Sequence, residues 1–318
     1  MGDLNKAIEL LANTKKTRSD KRYVSLDVAY GIRARVHLTM HNYADALKDA
    51  EAALASTSSV PYSSAAVSKP TFIDIEDASW MWGILITDKD RVSTTGICNF
   101  PSHMGSLNYG YASVGGWRRI SPKLYNQIPE SDVRKGWFLD DTGVSVNLPA
   151  AAQAYITKKG APVYTQVKYG PMNDEWGSNN NATDVILMRV EEMYLIKAEA
   201  QAMNNDVSGG VNTLNSFVNT YRDPSYKCTA PTGEAVQEAV WHQRRIEFWG
   251  EGLAYFDIMR LNKGVNRLGC GFPKTAVFNI AAGDPVQIYS IPNKEVQYNP
   301  LLENNPLVSA PTPIPDEE

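Results

Sequence analysis

The sequence has 318 residues, of which 43% are hydrophobic, so the chain is long and apolar enough to bury a core in one or two domains. Its formal net charge is -4 and its lysines and arginines are scattered, which excludes the basic footprint of a nucleic-acid-binding protein. No segment approaches the roughly 20 consecutive apolar residues of a membrane-spanning helix. Cys98, Cys228 and Cys270 lack the spacing of a zinc motif, and one disulfide remains possible.

The first part of the chain predicts helices. Helical periodicity begins at about residue 3, and residues 26–56 form two periodic stretches around a short His41–Asn42 turn. Small residues, such as Ala34 and Ala46, stand where the two helices must approach closely. The pattern resembles a tetratricopeptide-type hairpin, whose unit has about 34 residues. Because one hairpin cannot bury its apolar face alone, we expect more helices further along the chain.

Two histidines on this hairpin have the spacing of metal ligands. His37 and His41 are four residues apart, but the glutamate of an HExxH motif is missing. Capping and solvation account for both side chains, so we expect no metal site and no cofactor. Acidic turns at residues 88–90 and 173–175 lack the full calcium-loop pattern, but binding of a single calcium ion remains open at this point.

Residues 57–183 differ in character from the helical segments. Serine, glycine, proline and asparagine separate short apolar or aromatic runs, which predicts a large irregular insertion with a few short strands. Trp80 and Trp82 alternate with apolar residues in a strand-like run, so at least one of them should face the core. Long structured loops on a rigid frame are where binding sites usually lie.

The candidate ligand-binding residues lie in GICNFPSHMGSLNYGYASVGGW, residues 96–117. Sugars present flat C–H faces and rims of hydroxyl groups, so they need aromatic platforms beside amide, imidazole or guanidinium groups. Such residues in this segment are Tyr109, Tyr111 and Trp117 as platforms, with Asn99, His103 and Asn108 as their polar neighbours. The alternative is that the loop aromatics fold back and form a small satellite core.

A second helical region follows the insertion. Residues 184–221 predict a hairpin whose first helix carries Leu187 and Val190 on its apolar stripe. A further helix is expected over 233–263, with Thr232 as its N-cap and Gly264 as its stop. A C-terminal tail over 264–318 follows, which we expect to pack in an ordered way before a frayed end. Within that helix, Glu247 and Glu251 share a face, as the acid and base of a glycosidase can. Alternating aromatic residues favour a packed helix whose acids and arginines satisfy each other.

Several segments together resemble the SusD/RagB family of Bacteroidetes outer-membrane lipoproteins. They are RVEEMYLIKAEAQA, VNTLNSFVNTYR, RRIEFWGEGLAYFDIMRL and IPNKEVQYNPLLENNP, in that order, with SDVRKGWF at 131–138 upstream. Two positions depart from the family pattern: Gln243 stands where glutamate is frequent, and Ala254 where arginine is usual. We interpret both as altered scaffold contacts.

The resemblance implies a fold and a function. We expect a single mainly α SusD-like domain over residues 1–318, in which tetratricopeptide-like hairpins form a scaffold around the loop-rich insertion. The implied function is non-enzymatic capture of glycans at the cell surface and their delivery to a SusC-like TonB-dependent transporter. A signal peptide and lipobox cysteine are not found in the sequence, so we expect the lipid anchor to precede it in a longer chain.

Two other functions remain open at this point. A tetratricopeptide-like scaffold that binds a partner protein in its helical grooves would bury the loop aromatics and expose the grooves. A glycoside hydrolase using Glu247 and Glu251 would release sugar and lose this activity on Glu247→Gln.

Overall fold

The computed structural model describes residues 1–14, 17–90, 93, 99–306, 309 and 311, and the mainly helical prediction is confirmed there. The α-helices are α1 (Gly2–Asn13), α2 (Leu26–Thr39), α3 (Tyr43–Ser56), α4 (Ser64–Val67), α5 (Phe100–Met104), α6 (Pro122–Tyr125), α7 (Ala150–Lys158), α8 (Val190–Met203), α9 (Val207–Tyr221), α10 (Gly233–Glu247), α11 (Ala254–Arg260) and α12 (Asn293–Tyr298). The strands are β1 (Trp80–Ile84), β2 (Val185–Arg189), β3 (Val265–Asn266) and β4 (Asn279–Ile280). No helix of these residues is long and apolar enough to cross a membrane.

The chain divides into two compact units. The larger unit contains residues 1–120 and 124–252, and the smaller one contains residues 121–123 and 253–318. In the larger unit, α2 packs on α3, α3 on α8, and α8 on both α9 and α10. Ala34, Ala46, Ala50 and Ala53 are fully buried, which allows the close approach of helices that the alanine spacing predicts.

The hairpin turns are where the sequence places them. His41, in the turn between α2 and α3, has a positive φ of 59°, a conformation that residues other than glycine seldom adopt. Thr232 caps α10 as predicted, because its side chain accepts a hydrogen bond from the backbone N–H of Ala235 at 3.2 Å.

The predicted start of the second hairpin is wrong. Residues 185–189 form strand β2, and the helix begins only at Val190, so Leu187 lies on a strand and not on a helical stripe. β2 pairs antiparallel with β1, which joins the insertion to the helical frame. A short apolar run such as VILM fits a buried strand as well as a helix, so periodicity alone did not separate the two.

The single helix predicted over 233–263 is also wrong. Helix α10 ends at Glu247, and α11 covers only Ala254–Arg260, so the chain leaves the helix well before Gly264. Gly250 and Gly252 have φ values of 80° and 81°, in the left-handed region that favours glycine. These two glycines allow the sharp turn that interrupts the helical pattern.

The insertion has its own core. Tyr62, Phe72, Trp80, Trp137 and Phe138 pack together and are almost fully buried. The indole N–H of Trp80 donates to the hydroxyl of Tyr62 at 2.8 Å, so the predicted inward orientation of one tryptophan is confirmed. The irregular segments therefore pack around a buried aromatic core.

The smaller unit has fewer regular elements. Strands β3 and β4 pair antiparallel, and α11 carries an ion pair of 2.8 Å between Asp257 and the Nε of Arg260. Cys270, in this unit, and Cys228, in the larger one, are free thiols, whereas Cys98 lies outside the described residues.

Candidate functional site

A short helix, α5, begins the segment in which the sequence places the binding residues. Asn99 is the N-cap of α5, and its side chain accepts a hydrogen bond from the backbone N–H of Ser102 at 2.7 Å. The hydroxyl of Ser102 in turn accepts from the backbone N–H of Tyr111 at 2.9 Å. A Cβ on Gly110 would lie 2.7 Å from that hydroxyl, so this close approach requires glycine. Residues 99–118, called the aromatic loop below, are thus connected to each other by local hydrogen bonds.

Tyr111 forms one half of the exposed aromatic surface. Its side chain is 42% exposed, and its ring stacks on that of His103 with a centroid distance of 4.6 Å and an interplanar angle of 27°. Arg118 lies against both, with an Nη2 to Nδ1 distance of 3.1 Å to His103 and a guanidinium carbon 5.7 Å from the centroid of Tyr111. The structure therefore brings an imidazole and a guanidinium to one tyrosine ring.

Tyr109 forms the other half. It is 50% exposed, and its backbone N–H donates to the carbonyl of Ser178 at 2.8 Å. The Nζ of Lys159, which follows α7, lies 5.2 Å from the centroid of Tyr109 and 5.7 Å from that of Tyr155. Among the residues that the structure describes, no carboxylate forms an ion pair with Lys159 or with Arg118. In the described structure, the contacts of these two cations at this surface are with the tyrosine rings and, for Arg118, with His103.

Three of the sequence-predicted residues support the loop from within. Asn108 is 1% exposed, its side-chain amide donates to Asn181 at 3.2 Å, and its backbone carbonyl accepts from the hydroxyl of Tyr155 at 3.1 Å. Trp117 is half-buried and packs on a small core that includes Leu107 and Ile156. Asn99 caps its helix. For Trp117, the structure favours the satellite-core interpretation over an open platform.

The charged helix of the sequence is the centre of a buried ionic network. The carboxylate of Glu247 is fully buried and contacts Arg134 at 3.3 Å, Arg189 at 3.0 Å and Arg222 at 2.7 Å. Burial opposes its ionisation, but the guanidinium groups of Arg222, Arg189 and Arg134 outweigh burial and lower the pKa of Glu247 well below its usual range. Gln243 also accepts a hydrogen bond from Arg134, so this departure from the family pattern is a scaffold contact.

Glu251 extends this network. Its side chain is 4% exposed and contacts Lys168 at 2.6 Å and Arg189 at 2.8 Å. Burial lowers the pKa of Lys168 to about 8, against the opposing attraction of Glu251. The prediction that the acids and arginines of this region satisfy each other is thus confirmed for Glu247 and Glu251. Both carboxylates act as structural ion-pair partners.

The histidines of the first hairpin have separate environments. His37 lies 3.8 Å from Asp49 through Nε2, whereas the Nδ1 of His41 lies 2.9 Å from the hydroxyl of Tyr43. Within the described ranges, no group of three or more histidine, cysteine, aspartate or glutamate side chains is arranged to hold a metal ion.

Sequence reasoning missed two of the polar groups at the exposed surface. Arg118 directly follows Trp117 in the sequence, and its position next to the candidate loop was the available signal. Lys159 comes from a distant segment that only the fold brings to Tyr109, so no local pattern predicts it.

The architecture is a frame of helical hairpins that supports a long irregular insertion with an exposed aromatic surface. The family model of the SusD family matches residues 134–307, which is more than half of the chain. The chain belongs to the SusD family, and the resemblance found in the sequence is confirmed.

Solved structures of this family share the fold. A SusD-like carbohydrate-binding protein from Bacteroides vulgatus is 25% identical, with a TM-score of 0.64 over 83% of this chain and 51% of its own. A SusD superfamily protein from Bacteroides thetaiotaomicron is 22% identical, with a TM-score of 0.75 over 96% of this chain and 65% of its own. Surface glycan-binding protein A from the same organism is 16% identical, with a TM-score of 0.65 over 96% and 68%.

The chain is shorter than these relatives. It spans 51% and 65% of the length of the first two structures. No curated protein sequence matches it.

Proposed function

We propose that this protein binds glycans at the cell surface without cleaving them, and that the exposed rings of Tyr109 and Tyr111 form the contact surface. The observation that supports this most directly is that each exposed ring has a cation beside it, Lys159 or Arg118, with no carboxylate partner among the described residues. Membership of the SusD family supports it as well, since solved relatives include a carbohydrate-binding protein and a surface glycan-binding protein.

The chemistry of this surface suits a sugar. The apolar face of a pyranose ring packs against a tyrosine ring, while guanidinium, ammonium and imidazole groups meet the hydroxyl oxygens at the rim. Because Asn99 and Ser102 fix the aromatic loop through hydrogen bonds, little conformational entropy is lost when a ligand binds. In this proposal Asn99, Asn108 and Trp117 position the loop, and Tyr109, Tyr111 and His103 contact the ligand.

Delivery is the second part of the proposed function. By its family membership, the protein would pass its glycan to a SusC-like TonB-dependent transporter in the outer membrane. A lipid anchor on a longer chain would hold it at the cell surface, beside that transporter. No single observation favours the partner-protein scaffold over this function, because its loop aromatics would be buried, whereas Tyr109 and Tyr111 are exposed.

Native affinity electrophoresis against soluble plant, host and microbial polysaccharides tests the proposal, with reducing-sugar release measured on the same samples. We expect retardation by at least one polysaccharide, no release of sugar, and loss of retardation for Tyr111→Ala. The matched control is Tyr298→Ala, since Tyr298 is 84% exposed but lies in the smaller unit. Retention of binding by Tyr111→Ala would exclude the aromatic loop as the site, and release of sugar would contradict the non-enzymatic function.

A further inference from the structure

A small apolar pocket lies beside the aromatic loop, in the larger unit. Three aromatic rings and one strand line it, and its volume is ≈ 220 Å³. Its walls are Phe72, Phe100 and Tyr169, together with Val185, Ile186 and Leu187 of β2. We call this the apolar pocket.

The polar side chains at the apolar pocket are all engaged within the protein. Asp184 accepts hydrogen bonds from the backbone N–H groups of Ile75 at 2.8 Å and Ile86 at 2.7 Å. The hydroxyl of Tyr169 donates to the carbonyl of Trp249 at 3.3 Å, and Glu251 is held by the Lys168 and Arg189 contacts already described. The side chains of the pocket therefore offer a ligand contact surface and few hydrogen bonds. A hydroxyl-rich sugar ring would lose its own hydrogen bonds to water there, whereas an apolar group would not.

The size and walls of the apolar pocket suit an aromatic ring. A cavity of about 150 Å³ lined by apolar side chains is enough to hold benzene, so this pocket is larger than a single ring needs. Phe100 and Tyr169 meet edge to face, with centroids 6.3 Å apart and planes at 88°, and Phe72 and Tyr169 are 6.2 Å apart at 65°. Another ring can add to this arrangement through the same edge-to-face contacts.

Helix α5 connects the apolar pocket to the proposed glycan surface. Phe100, at the first position of α5, is 41% exposed and lines the pocket. His103, three residues later, stacks on Tyr111. Side chains three residues apart on a helix are neighbours, with about 5–6 Å between their Cβ atoms. A substituent of a sugar bound at Tyr111 is therefore within reach of the pocket.

From this geometry we infer that the apolar pocket binds an aromatic group that the glycan carries as an ester or glycoside substituent. The part of this inference that concerns the glycan rests on the proposed function. The affinity of the pocket for a free aromatic compound is independent of that function. The pocket then makes the protein selective for aryl-substituted glycans over unsubstituted ones. The contact is non-covalent, and the substituent stays on the glycan.

The first experiment tests the apolar pocket alone, by calorimetric titration of the whole chain with methyl ferulate. We expect saturable binding, and at least a tenfold loss for Ile186→Phe, because the added ring takes up part of the space that the ligand ring would occupy. Ile288→Phe is the matched control: it makes the same substitution at a site that is 43% exposed and lies in the smaller unit, and it should bind as the wild type does. Absence of saturable binding, or equal affinity in the two variants, would overturn the inference.

The second experiment separates the inference from the proposed function. Affinity electrophoresis is run with feruloylated arabinoxylan and with the same polymer after alkaline removal of its ester groups. If the wild type is retarded more by the esterified polymer, and Ile186→Phe is retarded equally by both, the inference is supported. Equal retardation of the wild type by both polymers would overturn selectivity. If methyl ferulate binds but no polysaccharide in the larger panel does, the proposed function fails while the assignment of the pocket stands.

Discussion

The buried network around Glu247 and the exposed surface around Tyr111 present the same kinds of side chain in opposite settings. In the network, arginines, acids and aromatic rings lie together, and every carboxylate contact is buried. At the aromatic loop, Arg118 and Lys159 lie against tyrosine rings that are half exposed. The dense pattern of charges around Glu247 is scaffold, because its members satisfy each other. The sparser pattern at the aromatic loop, whose cations have no acidic partner among the described residues, is where we propose that a ligand binds.

Removing the charge of Glu247 should cause the largest loss of stability. Glu247→Gln would leave Arg134, Arg189 and Arg222 buried without their shared carboxylate, so we expect the free energy of unfolding to fall by about 3–5 kcal/mol. Urea denaturation followed by circular dichroism measures this change. The matched control is Glu130→Gln, because Glu130 pairs with Lys135 but its side chain is 88% exposed, and its loss should be within about 0.5 kcal/mol. Similar decreases in the free energy of unfolding for both variants would show that the buried network does not stabilise the fold more than an exposed ion pair does.

The second effect concerns pH at the edge of the network. Burial, reinforced by the guanidinium groups of Arg245 and Arg134, lowers the pKa of His242 from 6.5 to about 4. Between these values the unfolded chain binds more protons than the folded chain, so the free energy of unfolding falls as pH falls. We expect His242 to contribute a loss of about 1–2 kcal/mol between pH 7 and pH 5, which His242→Gln should remove. Parallel pH profiles of the wild type and the variant, measured by urea denaturation, would contradict this.

The third prediction distinguishes the packing role of Trp117 from the proposed ligand-binding role of Tyr111. Because Trp117 packs on Leu107 and Ile156, Trp117→Ala should lower the free energy of unfolding by about 2 kcal/mol, less than for a fully buried tryptophan. Tyr111→Ala should leave stability within about 0.5 kcal/mol of wild type and weaken glycan binding instead. Thermal denaturation and affinity electrophoresis on the two variants decide the matter. If Trp117→Ala loses binding at unchanged stability, then Trp117 is a ligand platform.

The smallest effect concerns one cation. Replacing Arg118 by glutamine removes the guanidinium from Tyr111 and His103, and we expect glycan affinity to fall about threefold, as for an exposed cation–π contact. Arg119→Gln is the matched control, because Arg119 is the next residue in the sequence and its guanidinium donates to the carbonyl of Val163. Affinity measured by retardation should be unchanged in that control. Equal effects would point to net charge instead of a specific contact.

The sequence predicted the helical frame well because its signals are local. Small alanines at helical spacing and the turn at His41 fixed the first hairpin, and Thr232 marked the start of α10. Strand β2 was predicted as helix, since a run of four apolar residues fits a strand or a helix. The turn that needs positive φ at Gly250 and Gly252 was not predicted. The error at β2 arises because its partner strand, β1, is remote in the chain. The error at the turn arises because composition does not specify a backbone conformation.

The candidate site was predicted only in part, for a related reason. Tyr109 and Tyr111 are exposed as a binding surface requires, but the direction of side chains in an irregular loop follows no period, so the inward amide of Asn108 was not foreseeable. The contact of Lys159 with Tyr109 depends on tertiary packing. Whether these groups contact a glycan stays a prediction.

The ionic network also has a consequence for how the chain folds. The partners of Glu247 are 25, 58 and 113 positions away in sequence, so several distant segments must arrive before its carboxylate is neutralised. Contacts of such long range slow folding, because the chain loses much of its freedom before they form. An intermediate that lacked one segment would hold a charge in an apolar interior, and it would be populated little. The larger unit should therefore refold slowly, at a rate limited by bringing these distant segments together.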